Sequence, residues 1–517
     1  MRLESNLEYH YYHGLPDSEQ KLEEDDQSHQ WRITGGSTGN SCSKKPRLNR
    51  YALACAVLAS TNSVLLGYDI GVMSGAIIFI KQSLEITSTQ VEILVGILNL
   101  CSLVGSFLSG KTSDLIGRRY TIVLAAATFL VGAILMGFAP SFSFLMAGRV
   151  VAGIGVGYSL MIGPVYVAEL SPAISRGLLS SFPEIFITMG ILLGYICNYA
   201  LSGLPANVNW RIMLGLAGFP AIVVAIGVMA MPESPRWLVM KCRHQEAKQV
   251  IVKTSETEEE AELRLIEIEK AAEQTCPSGE IFRGEGVWKE LLLKPSPAVR
   301  RILILAIGIN FFMQASGNDA VVYYTPEVLR DAGIHNTKHL VGVTVIMGLS
   351  KTVFVLISAL FLDHLGRRQL LLVGTAGVTV SLATLGLGSR YLSMSDDNPT
   401  WAITVSVVSV CAFLSFFSVG LGPITWVYSA EIFPTRLRAQ GSSLAISVNR
   451  VVSGIVAMTF LSVSEHITFA GTFFLLSGVM AIGTVFFYLY LPETKGKTLE
   501  EIQSVFQDEL IKHRVVC

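Results

Sequence analysis

The chain has 517 residues, a formal net charge of −1 and a mean hydropathy of +0.51; 51% of it is hydrophobic and 15% charged. Soluble proteins carry about 25% charged residues, so the composition points to a membrane, and the near-neutral charge argues against a nucleic-acid partner. The eight cysteines (Cys42, Cys55, Cys101, Cys197, Cys242, Cys276, Cys411 and Cys517) are scattered, with no close-spaced pair of the kind that makes a metal site or a redox motif.

Residues 1–50 are polar, acidic at Glu23, Glu24, Asp25 and Asp26 and basic at Lys44, Lys45, Arg47 and Arg50. They lack the early apolar core of a secretory signal peptide and are expected to form a disordered cytoplasmic tail. Apolar runs follow at roughly 51–80, 91–110, 120–139, 143–167, 177–200 and 210–231, each near the ~20 residues that cross a bilayer. The first reads GYDIGVMSGA at 67–76. A carboxylate near the centre of a span costs roughly 2.5–3.5 kcal/mol on insertion scales. Asp69 therefore needs a partner, a water-filled cavity or a proton. Gly67, Gly71 and Gly75 recur every fourth residue and leave one helix face nearly bare. Packing explains the glycines alone; with Asp69 beside them, the face is expected to line a path.

A charged stretch at 232–298 interrupts the runs and contains ETEEEAELRLIEIEKAAEQ at 256–274, whose apolar residues recur at helical spacing. Further runs lie near 300–325, 340–362, 369–389, 400–428, 438–462 and 468–491, before a polar tail at 492–517. The pattern predicts an all-α membrane protein with about twelve transmembrane helices. They form two six-helix bundles, 51–231 and 299–491, joined by a cytoplasmic helical linker at 232–298. Lys111, Arg118, Arg119, Arg367, Arg368, Arg436 and Arg438 fall in loops on one side, whereas 201–209 and the turn near Pro140 carry no lysine or arginine. The positive-inside rule then places both termini in the cytoplasm.

The halves repeat. DLIGRR at 114–119 answers DHLGRR at 363–368, GPVYVAELSP at 163–172 answers GPITWVYSAEIFP at 422–434, and PESP at 232–235 answers PETK at 492–495. A near-constant offset across three motifs means a parallel duplication, with the substrate site between the halves near the midplane. Asp114 with Arg118 and Arg119, and Asp363 with Arg367 and Arg368, stand in matching short loops. Glu169 with Arg176, and Glu431 with Arg436 or Arg438, are placed alike. Acid–base groups there are expected to latch neighbouring helix ends in one state and release them in another. GSFLSGKT at 105–112 fits the phosphate-loop pattern. It ends an apolar span instead of joining a strand to a helix, so nucleotide binding is not expected.

These motifs, with GRVVAGIGVG at 148–157, PESPRW at 232–237, QASG at 314–317 and PETKGKTLEEI at 492–502, resemble the sugar porter family of major facilitator transporters. The match runs from Tyr51 to about Ile502. FPEIFITMGILLGY at 182–195, QASGNDAVVYY at 314–324 and SVNRVVSG at 447–454 are most similar to the plant polyol transporters. The resemblance implies that Asp69 takes up the coupling proton, with Arg149 as its partner. It also implies that Gln314, Tyr323, Trp426 and Asn449 contact a sugar. The chain departs from the hexose-carrier pattern at Met313 and Asn318, and at Glu184, Asp319 and Arg450. The last three agree with the polyol branch, whereas Met313 removes an amide contact.

The spans hold three acids (Asp69, Glu184, Asp319) and three bases (Arg149, Lys351, Arg450), which predicts internal pairing. A cavity of Glu184, Gln314, Asp319 and Asn449 offers acceptors and amides to the many hydroxyls of a linear polyol or a monosaccharide. Proton symport of such substrates by alternating access is the expectation, in the plasma or else the vacuolar membrane. A uniporter or proton antiporter is the alternative on the same fold; a sugar sensor is a third. No nucleophile–base or metal-ligand constellation is present, so neither an enzyme nor a cofactor is expected. The proton is the coupling ion, lipid and substrate are the partners, and a monomer is expected.

Overall fold

The computed structural model describes residues 49–171, 176–273, 288–293, 295–333, 337–394, 399–434 and 437–495. Nearly all of the tail expected at 1–50, and the chain beyond 495, lie outside these residues. The described residues form helices and no strand. The first six spans are α1 (Arg50–Leu84), α2 (Ser88–Ile116), α3 (Arg118–Gly137), α4 (Phe142–Leu170), α5 (Leu178–Leu201) and α6 (Ala206–Met229). The linker holds α7 (Pro235–Met240), α8 (His244–Thr254) and α9 (Glu258–Glu273), the last being the helix expected at 256–274. Then come α10 (Pro297–Tyr323), α11 (His339–Leu362), α12 (Arg367–Met394), α13 (Thr400–Ser429) and α14 (Arg438–Tyr490).

Among the described residues, eleven helices are long and apolar enough to cross a membrane, against about twelve expected. α14 accounts for the difference. It is 53 residues long and leaves the helical region at Thr468 (φ 68°, ψ 159°). It is therefore two spans joined end to end, which completes two six-helix bundles. Large apolar side chains such as Phe138, Phe219, Ile226 and Ile482 stand outward, where acyl chains and not water must meet them.

Local chemistry sets the helix ends. Asn49 Oδ1 accepts from the Tyr51 amide at 2.8 Å and caps α1. Its Nδ2 donates to the carbonyls of Lys253 (3.1 Å) and Ser255 (2.9 Å), tying the start of α1 to the end of α8. Thr87 and Gln90 make a capping box at α2. Arg264 of α9 donates to the Leu170 carbonyl and to Ser255 Oγ, both at 3.1 Å, and so docks the linker on the end of α4. Burial pulls that guanidinium down to about 10.

The bare face of α1 packs instead of lining a path. A Cβ at Gly67 would meet the Ile187 carbonyl oxygen at 1.9 Å, and one at Gly71 the Ile191 carbonyl oxygen at 2.3 Å. The glycines therefore seat α1 on α5. Asp69, two residues along, is turned about 200° from Gly67 around the helix. Between the halves, α2 packs on α14 and α5 on α11.

Candidate functional site

Asp69 and Arg149 face each other at the heart of the first half. Arg149 Nη1 lies 2.7 and 2.8 Å from the two carboxylate oxygens of Asp69, and Arg149 Nε donates to the Leu94 carbonyl at 3.2 Å. Both side chains are buried (1% and 0% exposed). The pair satisfies the acid on α1 and links it to α4 and α2. Arg149 Nη2 has no partner.

A cluster of buried polar side chains, the candidate chamber, lies between the halves. The chain turns at Gly317 (φ 77°) between two helical pieces of α10 and so brings Gln314, Asn318, Asp319 and Tyr323 together. Glu184 on α5 accepts a 2.7 Å bond from the indole N–H of Trp426 on α13. Asp319 accepts from Asn318 Nδ2 (3.0 Å) and Ser453 Oγ (2.8 Å) and pairs with Arg450 at 3.7 Å. Asn449 Oδ1 accepts from Gln314 Nε2 (3.1 Å) and from Arg450 Nε (2.9 Å) and Nη2. Arg450 Nη1 reaches across to Asn99 of α2 at 3.4 Å. Two buried atoms of the chamber, Gln314 Oε1 and Tyr323 Oη, have no protein partner. Tyr323 lies within electrostatic range of Asp69, Arg149, Asp319 and Arg450.

The chamber brings together all six residues expected to bind substrate, but the pairing differs from expectation. Two of the three acids pair with bases, Asp69 with Arg149 and Asp319 with Arg450. Glu184 takes the Trp426 indole, and Lys351 donates to Asn318 Oδ1 at 3.1 Å over the Phe417 ring. Asn318, which fitted no pattern in the sequence, is the amide that joins Lys351 to Asp319. Met313 Sδ stands 3.4 Å from Asn449 Nδ2, where a second amide would have met it. The sequence singled out Lys351 only as a charge to be paired, and Asn99 and Ser453 not at all; a lone serine or asparagine in an apolar run carries no signal of its own.

The charged end repeats in its pattern of partners. Arg118 donates to Glu169 (3.0 and 3.1 Å) and Asp114 (3.1 Å). Arg367 donates to Glu431 at 3.4 Å. Glu233 accepts the amides of Arg118 (2.8 Å), Arg119 (3.3 Å) and Ser234 (2.9 Å), and Glu493 those of Arg367, Arg368 and Thr494, each at 3.0 Å. Positive φ at Gly117 (99°) and Gly366 (91°) makes these turns, and a Cβ there would strike the Glu233 or Glu493 carboxylate at 2.3 or 2.7 Å. Burial pushes the Glu233 carboxyl up, against the pull of the Ser234 amide and the Arg118 charge. Sequence reasoning placed PESP and PETK among the repeats without seeing that their glutamates cap the arginine turns. Arg119 and Arg368 correct the expectation. Their side chains bond the Met229 and Tyr488 carbonyls, and neither forms an ion pair among the described residues. The ion pairs of Arg118 with Asp114 and Glu169, and of Arg367 with Glu431, join helices within one half. Across the halves, Glu169 lies in electrostatic range of Arg438, and Asp114 in hydrogen-bond contact with Gln440. The side chains of Arg176, Asp363 and Arg436 lie outside the described set.

Two six-helix bundles around a buried chamber, with repeated arginine turns at one end, define a carrier of the major facilitator type. The sequence model of the sugar (and other) transporter family matches residues 55–506, and the chain belongs to that family. It is 53% identical over 471 residues to polyol transporter 5 of Arabidopsis thaliana, covering 90% of this chain and 87% of that one. Its fold is similar to the proton:xylose symporter XylE bound to 6-bromo-6-deoxy-D-glucose (TM-score 0.79, 24% identity, 89% of this chain and 100% of that one). It is also similar to inward-open XylE from E. coli (TM-score 0.67, 24% identity, 88% and 100%). The chain is thus a multi-pass membrane transporter and not an enzyme.

Proposed function

We propose that this transporter is a proton symporter of polyols and monosaccharides that works by alternating access. The carrying observation is the buried Asp69–Arg149 pair in electrostatic range of Tyr323, one of the polar side chains gathered between the halves. A carboxylate 2.7 Å from the guanidinium that faces it loses that attraction when it takes a proton. Arg149, still tied to the Leu94 carbonyl, is then free to leave α1. Protonation thereby biases the two states of the first bundle, and Tyr323 lies in electrostatic range of that pair. A polyol hydroxyl donates to Gln314 Oε1 and Glu184, and accepts from Tyr323 and from the donors left on Lys351.

The similarity to polyol transporter 5 supports the substrate class. The arginine-rich end faces the cytoplasm in this reading, with both termini on that side, and the protein acts as a monomer in the plasma membrane. Labelled sorbitol and glucose uptake in transport-deficient yeast tests it. Accumulation that rises as the medium is acidified is expected; uptake that never exceeds the outside concentration at any pH contradicts symport.

A further inference from the structure

The face between α2 and α14 is a seam that runs antiparallel through the molecule. Near the charged end, Ser443 Oγ donates to the Ser106 carbonyl at 2.5 Å. Midway, Arg450 reaches Asn99. At the opposite end Glu92 of α2 accepts from the Ser462 amide (2.8 Å) and the Ser462 hydroxyl (2.6 Å) of α14. Glu92 is buried, 3% exposed. From Glu92 to Ser106 the helix rises about 21 Å at about 1.5 Å per residue, so the halves are tied on both sides of the chamber.

The two ties differ in kind. A serine hydroxyl on a carbonyl is a neutral bond, whereas bonds to a carboxylate are charge-assisted and roughly twice as strong. One turn below Ser462, Tyr324 donates to the Ala457 carbonyl at 2.9 Å and stacks on Phe460 at 5.7 Å. Tyr324 is the immediate neighbour of Tyr323 in the chamber. Movement of α14 away from Glu92 therefore pulls on the substrate-facing end of α10.

We propose that Glu92 is the positioning residue that holds shut the mouth opposite the arginine turns, and that its two bonds to Ser462 must break for the chamber to open on that side. The inference rests on the alternating-access reading. The test places spin labels at Thr89→Cys and Glu465→Cys, both exposed positions flanking this contact, with exposed Cys242 replaced by serine. Distances are read by double electron–electron resonance in nanodiscs, with and without sorbitol. Glu92→Ala should raise the long-distance population at least tenfold, since two charge-assisted bonds are lost together. Glu92→Gln should move it the same way by less. Unchanged distributions in both variants would overturn the assignment, and should the alanine variant fail to fold, the glutamine variant decides alone. A parent distribution that ignores sorbitol counts against alternating access itself, whatever the Glu92 variants do.

Discussion

Asp69 is legible in the sequence as a carboxylate that needs a partner, and the structure supplies Arg149 at 2.7 Å. Asp69→Asn retains the shape but cannot carry a proton. It should abolish accumulation against a gradient while leaving counterflow exchange; normal pH-dependent accumulation in that variant would sink the coupling role. Arg149→Ala is different, since it leaves a buried carboxylate unpaired, at about 3–5 kcal/mol. That variant should fail by loss of folded protein in the membrane. At the chamber, Met313→Gln places an amide beside Asn449 Nδ2. It should improve glucose competition about three- to tenfold, the worth of about one added hydrogen bond, with less change for sorbitol. Asp319→Asn should weaken sorbitol more than glucose, because Arg450 loses its ion pair and Ser453 its charged acceptor. Equal factors for both ligands would make these positions structural. Residue type alone foretold which side chains are polar and central. It did not foretell that Lys351 reaches Asn318 and not Glu184, because that choice depends on how α10 breaks at Gly317.

At the scale of elements, the repeated turns explain why glutamates recur after α6 and after α14. Each helix start at Arg118 and Arg367 exposes backbone amides, and each turn borrows a carboxylate from a segment over a hundred residues away. Glu233→Ala strands three amides, each an orphan worth about 1–3 kcal/mol if it stays buried. It should lower the thermal midpoint of the purified protein by several degrees, as followed by tryptophan fluorescence. Glu493→Ala should do the same, and Glu233→Gln, which keeps one acceptor oxygen, should do less. An unchanged midpoint in both alanine variants would mean that water fills the amides equally well. The glycine face of α1 teaches the converse: period four showed a bare face, but only the carbonyls of α5 at 1.9 and 2.3 Å show that it is filled by backbone.

At the scale of the whole molecule, apolar runs, loop charges and the internal repeat are enough to read two six-helix bundles, because a bilayer dictates span length and basic residues dictate side. Thr468 is the place where run counting and helix counting part, since one residue outside helical geometry separates the last two spans. What the sequence could not supply is the set of contacts between halves, such as Glu92 with Ser462, which lie 370 residues apart. Those contacts matter because transport requires one end of the α2–α14 seam to part while the other holds. The central claim is that a proton on Asp69 drives a polyol through the chamber between the halves. The direct measurement uses proteoliposomes preloaded at neutral pH and placed in acidic medium with labelled sorbitol. The account predicts transient accumulation above the outside concentration, abolished by a protonophore and absent in Asp69→Asn, which still exchanges labelled for unlabelled sorbitol. Equilibration without overshoot in the parent protein, or an overshoot that survives in Asp69→Asn, would contradict it.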